Sequence, residues 1–209
     1  AATQASGDPM FALNAAMMSD GVVVEIADVA AVERAIQVVH LGGEVAAARY
    51  TRSLIRVGRG ARVTLVESFL PGAGEDQVND AVLMSIAEGG RVDHVRMMED
   101  GPGALNIATL VARVGAGAHL NTFNLTAGAA VSRYQAFIAC EGADARIETN
   151  GVNLLKATQH ADTSLFIDHV APHCASRETF RAVIDNRARS VFQGRIVVRA
   201  EAQKTDAKM

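Results

Sequence analysis

Asp168, His169, His173 and Cys174 place a carboxylate, two imidazoles and a thiol within seven residues. Imidazole and thiolate suit zinc or iron, and Pro172 stiffens the turn between the two histidines. A closed tetrahedral site takes about four donors, and no second ligand cluster stands elsewhere in the chain. Histidine and cysteine beside a turn are more often ordinary surface and core residues. The expectation is therefore that no residue of this chain is catalytic, binds a cofactor or ligates a metal. His169, His173 and Cys174 are the residues on which a metal reading would rest.

Three other sets invite chemistry. His160, Asp162 and Ser164 alternate as a triad on one strand face would. Residues two apart on a strand are separated by about 6.6 Å, whereas a working triad needs contacts of about 2.6–3.2 Å. A polar strand edge is expected there instead. Gly58-x-Gly60 and Gly115-x-Gly117 follow strand-like runs, but no lysine follows a glycine anywhere, which excludes a Walker A loop. These glycines are expected at coil corners that need positive φ. Asn121, Asn124, Asn150 and Asn153 are expected to stack as polar ladders inside turns.

The elements that must position these residues are short and aliphatic. The chain of 209 residues fits one domain, and its hydrophobic fraction is 49% with only 4% aromatic residues and no Trp. Its core must be built from Val, Ile, Leu, Ala and Met. That suits a narrow interior and suits a sugar or nucleobase cleft poorly, since such clefts stack ligands on rings. The net charge is −3, and 17 arginines and three lysines are spread without a basic block, so neither nucleic acid nor a membrane surface is an expected partner. No apolar run reaches 18 residues, so no membrane span is expected. Cys140 and Cys174 form no Cys-x-x-Cys pair and fit a reducing cytoplasm. The first residue is not Met and no secretion signal follows. A fragment of a longer polypeptide is expected.

Residues 1–7 read as a mobile tail. Asp8-Pro9 supplies an N-cap and a first-turn proline, which predicts a helix from Pro9 to Met18 closed by Ser19-Asp20-Gly21, with Gly21 as a left-handed cap. After Gly21, strand-like runs alternate with Gly turns. They are Val22–Ile26, Leu54–Val57, Val63–Glu67, Ala81–Ile86, Val92–Met97, Ile107–Val114, Leu120–Leu125, Tyr134–Ala139, Ser164–His169, Thr179–Ile184 and Arg195–Arg199. Asp28–Ile36 is ambiguous and reads as extended. Gly60, Gly90 and Gly117 mark a weak repeat with steps of 30 and 27 residues. Such a period of strands and turns signals stacked coils, each contacting only its neighbours. An antiparallel sandwich stays open as the alternative. Its hairpin signals are sparse: one Asn-Gly at Asn150-Gly151, and Asp-Gly at Asp20-Gly21 and Asp100-Gly101.

A family resemblance narrows this choice. Gln159-His160-Ala161-Asp162-Thr163-Ser164, His169-Val170-Ala171-Pro172, Ser176-Arg177-Glu178, Phe192-Gln193-Gly194-Arg195 and Gln203-Lys204-Thr205-Asp206-Ala207 carry it most strongly. Leu13-Asn14-Ala15-Ala16, Asp20-Gly21-Val22-Val23, Thr51-Arg52-Ser53-Leu54 and Leu65-Val66-Glu67-Ser68 extend it over almost the whole chain. In order and spacing these segments resemble the SufB/SufD family of iron–sulfur cluster assembly scaffolds. SufB tends to carry Tyr-Arg-Gly where this chain has Phe192-Gln193-Gly194, which places it nearer the SufD branch.

The resemblance implies an all-β fold: a right-handed parallel β-helix of flattened, stacked coils over residues 22–209, with a tail and one short helix in residues 1–21. It implies a cytoplasmic scaffold without its own turnover, supporting iron entry. The expected partners are a SufB-like subunit at the β-helix end and a SufC-like ATPase engaged through C-terminal helices. An iron–sulfur cluster would be present only transiently, in the full complex. The family's Cys-x-His-Gly segment would lie beyond Met209, so none of its site residues carries over. A β-helical carbohydrate-active enzyme and a purely structural self-assembling β-helix are the alternatives. Open strand edges at Thr179–Ile184 and Arg195–Arg199 are expected to support a homodimer when no partner is present. A proline at Val197 is expected to weaken it by removing an edge donor.

Overall fold

The computed structural model describes residues 5, 7–72 and 75–209. Most of the expected N-terminal tail lies outside them. Asp8 caps a helix: its carboxylate accepts from the backbone N–H of Met10 and Phe11 at 2.9 and 3.1 Å, and Pro9 fills the first position. Helix α1 runs Pro9–Met17. It ends as Met18 turns extended, without the left-handed glycine expected at Gly21.

The rest is strand and turn: β1 (Val23–Ile26), β2 (Ile36–Leu41), β3 (Ala48–Val57), β4 (Arg62–Leu70), β5 (Gln77–Ile86), β6 (Arg91–Met98), β7 (Leu105–Val114), β8 (His119–Thr126), β9 (Val131–Cys140), β10 (Arg146–Leu155), β11 (His160–His169), β12 (Ala175–Ile184), β13 (Arg189–Val198) and β14 (Asp206–Lys208). Odd-numbered strands form one seven-stranded sheet, in chain order, and even-numbered strands form the other. All the pairings are parallel, which no antiparallel sandwich shows. The chain is a flattened β-solenoid of about six turns. Gln77 pairs with Leu105, Leu105 with Val131, Val131 with His160 and His160 with Arg189, so successive steps are 28, 26, 29 and 29 residues.

One corner of the coil explains the glycine repeat. Val29, Gly60, Gly89, Gly117, Asp144, His173 and Lys204 all adopt φ between 55° and 66°. Each stacks on the next through a backbone bond: Gly60 N–H to the Glu88 carbonyl (2.9 Å), Gly89 to Ala116 (2.8 Å), Gly117 to Ala143 (2.8 Å) and His173 to Gln203 (3.0 Å). The left-handed residue of the middle coil is Gly89, one before the expected Gly90. Gly58 serves a second need, because a Cβ there would stand 2.6 Å from the Asp28 nitrogen of the coil below. Glycine and a few short polar residues tolerate this backbone, and the stack imposes it even on β-branched Val29.

Three strands escape a reading by propensity. β2 begins where the Asp28–Ile36 segment ends, and that segment holds only an isolated bridge from Ala31 to Arg62. β14 is three residues long. β10 contains Asn150-Gly151, a turn signal in isolation. Here Gly151 sits mid-strand because a Cβ would collide with the ring of Phe180 on β12.

Residues alternate between lumen and surface along each strand. Near the left-handed corner the lumen is apolar: Val57, Ile86, Val114, Val63, Val92, Leu120 and Ile147 belong to one buried cluster. Helix α1 covers the outer face of the odd-numbered sheet. Asn14, fully buried, donates to the Thr51 and Asn79 carbonyls (2.9 and 2.8 Å) and accepts from Arg52 Nε (2.8 Å).

Candidate functional site

The half of the lumen away from that corner is polar. Glu67 on β4 and His94 on β6 point inward from the same sheet, and His94 Nε2 lies 2.7 Å from Glu67 Oε2. The other ring nitrogen of His94 is 3.2 Å from Thr122 Oγ1. Across the lumen, Thr51 donates to Asp80 at 2.5 Å. Arg96 donates to Asn124 (3.1 Å) and Asn106 (2.7 Å), and Asn106 donates to Asp100 (2.6 Å). The Arg96 guanidinium also lies 4.3 Å from the ring centroid of Phe69. Such networks in a low-dielectric interior survive only when their members are paired.

At the N-terminal end this strip meets a cavity of about 300 Å³ whose lining includes His40, Thr51, Phe69 and Asp100. His40 stacks on Phe69 with ring centroids 4.0 Å apart, and its Nε2 is 3.6 Å from Glu67. One donor atom each from His40, Glu67 and Asp80 lies within 4.8 Å of the others. Burial alone would raise the Glu67 pKa, but the His40 ring 3.6 Å away and the His94 hydrogen bond outweigh it and hold the group below the ordinary carboxylate range. Burial pushes Asp80 up to about 6, and the charge of Glu67 adds to the shift. Burial would lower His40, but the Glu67 carboxylate beside it and the Asp80 charge together raise it. The arrangement can hold a shared proton, or a divalent cation that accepts oxygen and imidazole donors.

A second cluster lies at the left-handed corner. His169 ends β11 directly opposite Cys140, the last residue of β9, and Cys174 follows in the next corner. All three are buried, and one donor atom of each lies within 4.8 Å of the others. Of the residues that the sequence suggested, His169 and Cys174 are thus brought together. His173 occupies the left-handed corner position with its side chain exposed. Asp168 faces outward and is held by Arg199 through two contacts of 2.8 Å, which keep its carboxyl below the ordinary range.

The other suggested sets separate. His160, Asp162 and Ser164 lie on β11 facing away from the lumen; the Ser164 hydroxyl does reach Asp162 at 3.3 Å, but no hydrogen bond joins His160 to Asp162 among the described residues. Asn124 and Asn153 face the lumen, whereas Asn121 points outward to Asp93 at 2.9 Å. All four asparagines lie on strands, and Asn121 stacks on Glu148 and Asn124 on Gly151, so the expected turn ladders do not form. Glu67, Asp80, His94 and Arg96 were missed. Their signal was present: Val63-x-Leu65-x-Glu67 and Val92-x-His94-x-Arg96 put charge on the buried side of an alternating pattern.

Among the described residues, no helix is long and apolar enough to cross a membrane. Residues 40–209 match the family described as SUF system FeS cluster assembly, SufBD core domain. The chain is similar to an iron–sulfur cluster assembly SufBD family protein of Synechocystis sp., with 26% identity over 168 residues, 75% of this chain and 37% of that protein. It is similar to the iron–sulfur cluster assembly protein SufD of Escherichia coli, with 26% identity over 177 residues, 80% of this chain and 40% of that protein. It therefore spans about two fifths of the length of these curated relatives. The matched residues begin in β2 and take in every later coil, including both buried clusters, and on that evidence the chain belongs to the SufBD core-domain family of the SUF iron–sulfur cluster assembly system.

Proposed function

We propose that this chain is a SufD-type scaffold segment that docks a SufB-like subunit at the last coil of its solenoid. The reading extends to a SufC-like ATPase bound by the longer protein, and to iron entry without turnover by this segment. The carrying observation is the final coil. Among the described residues β13 has a neighbour on one side only, and β14 covers just Ala175–Arg177 of β12. Phe192, Val198 and Ile184, which continue lumen rows, are 40%, 50% and 46% exposed there. A ten-residue row of backbone donors and acceptors beside an apolar lumen is a template for another strand. The free thiols Cys140 and Cys174 suit a reducing compartment such as the cytoplasm.

The backbone polarity of this edge is fixed by its internal bonds. Arg189 and Arg199 donate inward, to Gln159 (2.9 Å) and His169 (3.0 Å) of the neighbouring coil. Strand donors alternate in direction, so Val197 also donates inward, and Phe192, Ile196 and Val198 donate outward. Val197 is therefore not the edge donor that the sequence suggested, and Val198 is. Co-purification with SufB-like and SufC-like subunits tests the proposal. Complex formation weakened by Val198→Pro supports it; a chain that captures neither subunit, in an assay where SufB-like and SufC-like proteins bind each other, overturns it.

A further inference from the structure

We propose that Cys140, His169 and Cys174 form a binding site for a thiophilic divalent metal ion, Fe²⁺ or Zn²⁺, inside the solenoid corner. The inference rests on the three side chains and does not depend on the family assignment. Two thiolates and one imidazole suit these ions and suit Mg²⁺ or Ca²⁺ poorly.

The donors are held by the coil itself. His169 and Cys140 are register partners on adjacent strands, so their side chains point the same way into the lumen. Cys174 enters from the corner that follows the next turn. Tetrahedral coordination at about 2.3 Å to sulfur and 2.1 Å to nitrogen places donors roughly 3.6–3.8 Å apart. The observed limit of 4.8 Å leaves about an ångström to close, within the reach of side-chain rotation.

A second observation points to a ligand. His169 is fully buried, and its Nδ1 has no hydrogen-bond partner among the described residues. Its Nε2 is 3.1 Å from Ser176 Oγ. With Nε2–H donating to Ser176, Nδ1 keeps a free lone pair. That is the outer partner which metal-bound imidazoles usually have. A buried nitrogen with nothing to bind is otherwise a cost without a return.

Charge also fits. All three donors are buried, and burial favours the neutral thiol and the neutral imidazole in the empty site. Binding exchanges two thiol protons, released to solvent, for one dication: M²⁺ plus two R–SH gives M(S–R)₂ plus two H⁺, with the imidazole adding its lone pair. The net charge of the corner does not change. In the empty site the Cys174 thiol donates to the Ala171 and Gly142 carbonyls at 3.2 and 3.3 Å, and the proton that makes these contacts is one of the two released on binding. Of the acids nearby, Asp168 is neutralised by Arg199, while Glu178 on β12 has both oxygens buried and without a hydrogen-bond partner among the described residues, which favours a cation. Three protein donors leave one coordination position for water or an incoming ligand.

Anaerobic titration of the purified protein with Co²⁺, in a thiol-free reductant, tests this. One equivalent should bind, with a sulfur-to-cobalt charge-transfer band in the near ultraviolet and tetrahedral bands in the visible. Fe²⁺ or Zn²⁺ should displace it, and which does so at lower concentration identifies the preferred ion. Cys140→Ser and Cys174→Ser should each weaken binding at least roughly tenfold, while His173→Ala, at the exposed corner, should leave it unchanged. The band reports thiolate ligation in the unaltered protein, so a misfolded variant does not decide the outcome. No binding, binding without the band (as His40, Glu67 and Asp80 would give), or a band that survives both serine changes overturns the proposal.

Discussion

Glu67 Oε2 lies 2.7 Å from His94 Nε2 inside the solenoid, with both side chains under 5% exposed. Neither group can be removed alone without leaving its partner's polarity buried. His94→Leu should destabilise the fold by about 3–5 kcal/mol, because it strips the carboxylate of its closest donor. Glu67→Leu combined with His94→Leu should recover most of that loss. Urea denaturation of the two single variants and the double variant closes the cycle. Additive losses would show that the pair is not coupled.

Asp80 and His40 make the interior sensitive to pH. Both hold their protons more tightly folded than unfolded, Asp80 because burial moves it up to about 6 and His40 because of its acidic neighbours. Folding stability from both is therefore full at low pH and is lost as pH rises through their folded values. Glu67 runs the other way, contributing above its unfolded value and losing its contribution only as pH falls through its lowered one. Asp80's share is lost between its ordinary value near 3.8 and about 6, and His40's above its ordinary value of 6.5. Asp80→Asn should flatten the fall in thermal midpoint between about pH 4 and 6.5 and stabilise the protein at pH 7.5, by up to about 3 kcal/mol. An unchanged pH profile would rule this out.

Gly151 and Phe180 share one volume. Gly151→Ala should cost about 1–3 kcal/mol, because its Cβ would stand 2.3 Å from the Phe180 ring and 3.0 Å from the Asn124 carbonyl. In a Phe180→Ala background the same change should cost less, with the Asn124 carbonyl contact remaining. Chemical denaturation of both pairs of proteins decides it.

Val197 and Val198 separate fold from docking. Val197→Pro removes a donor that faces β11 and should lower stability by about 1–3 kcal/mol. Val198→Pro removes one that faces outward, so stability should hardly move. Association at this end should weaken by about 0.5–1.5 kcal/mol, or roughly twofold to twelvefold. Without a partner subunit the same edge should support a homodimer, and sedimentation at several concentrations reads the effect. Equal effects of the two changes on self-association would count against edge pairing.

Much of this architecture was legible because it is local. Asp8-Pro9 caps a helix wherever it occurs, and Gly60 and Gly117 mark corners because few other residues take that backbone. Aliphatic alternation gave most strands, since one face of each is buried. The parallel stack was not local, and it hid two features. Arg146–Leu155 has poor strand propensity and an Asn-Gly pair, but Gly151 lies there to make room for a ring 29 residues later. His173 and Cys174 looked alike as ligands, yet neighbours on a chain face opposite ways at a corner.

The residue types and their order determined where the helix starts, most of the strands, the corners at Gly60 and Gly117, and to which family the chain belongs. Only the tertiary structure decided which side chains meet. Cys140 reaches His169 and Cys174, and Glu67 reaches His94, because cross-coil register sets those distances, and register is the sum of every turn length between them.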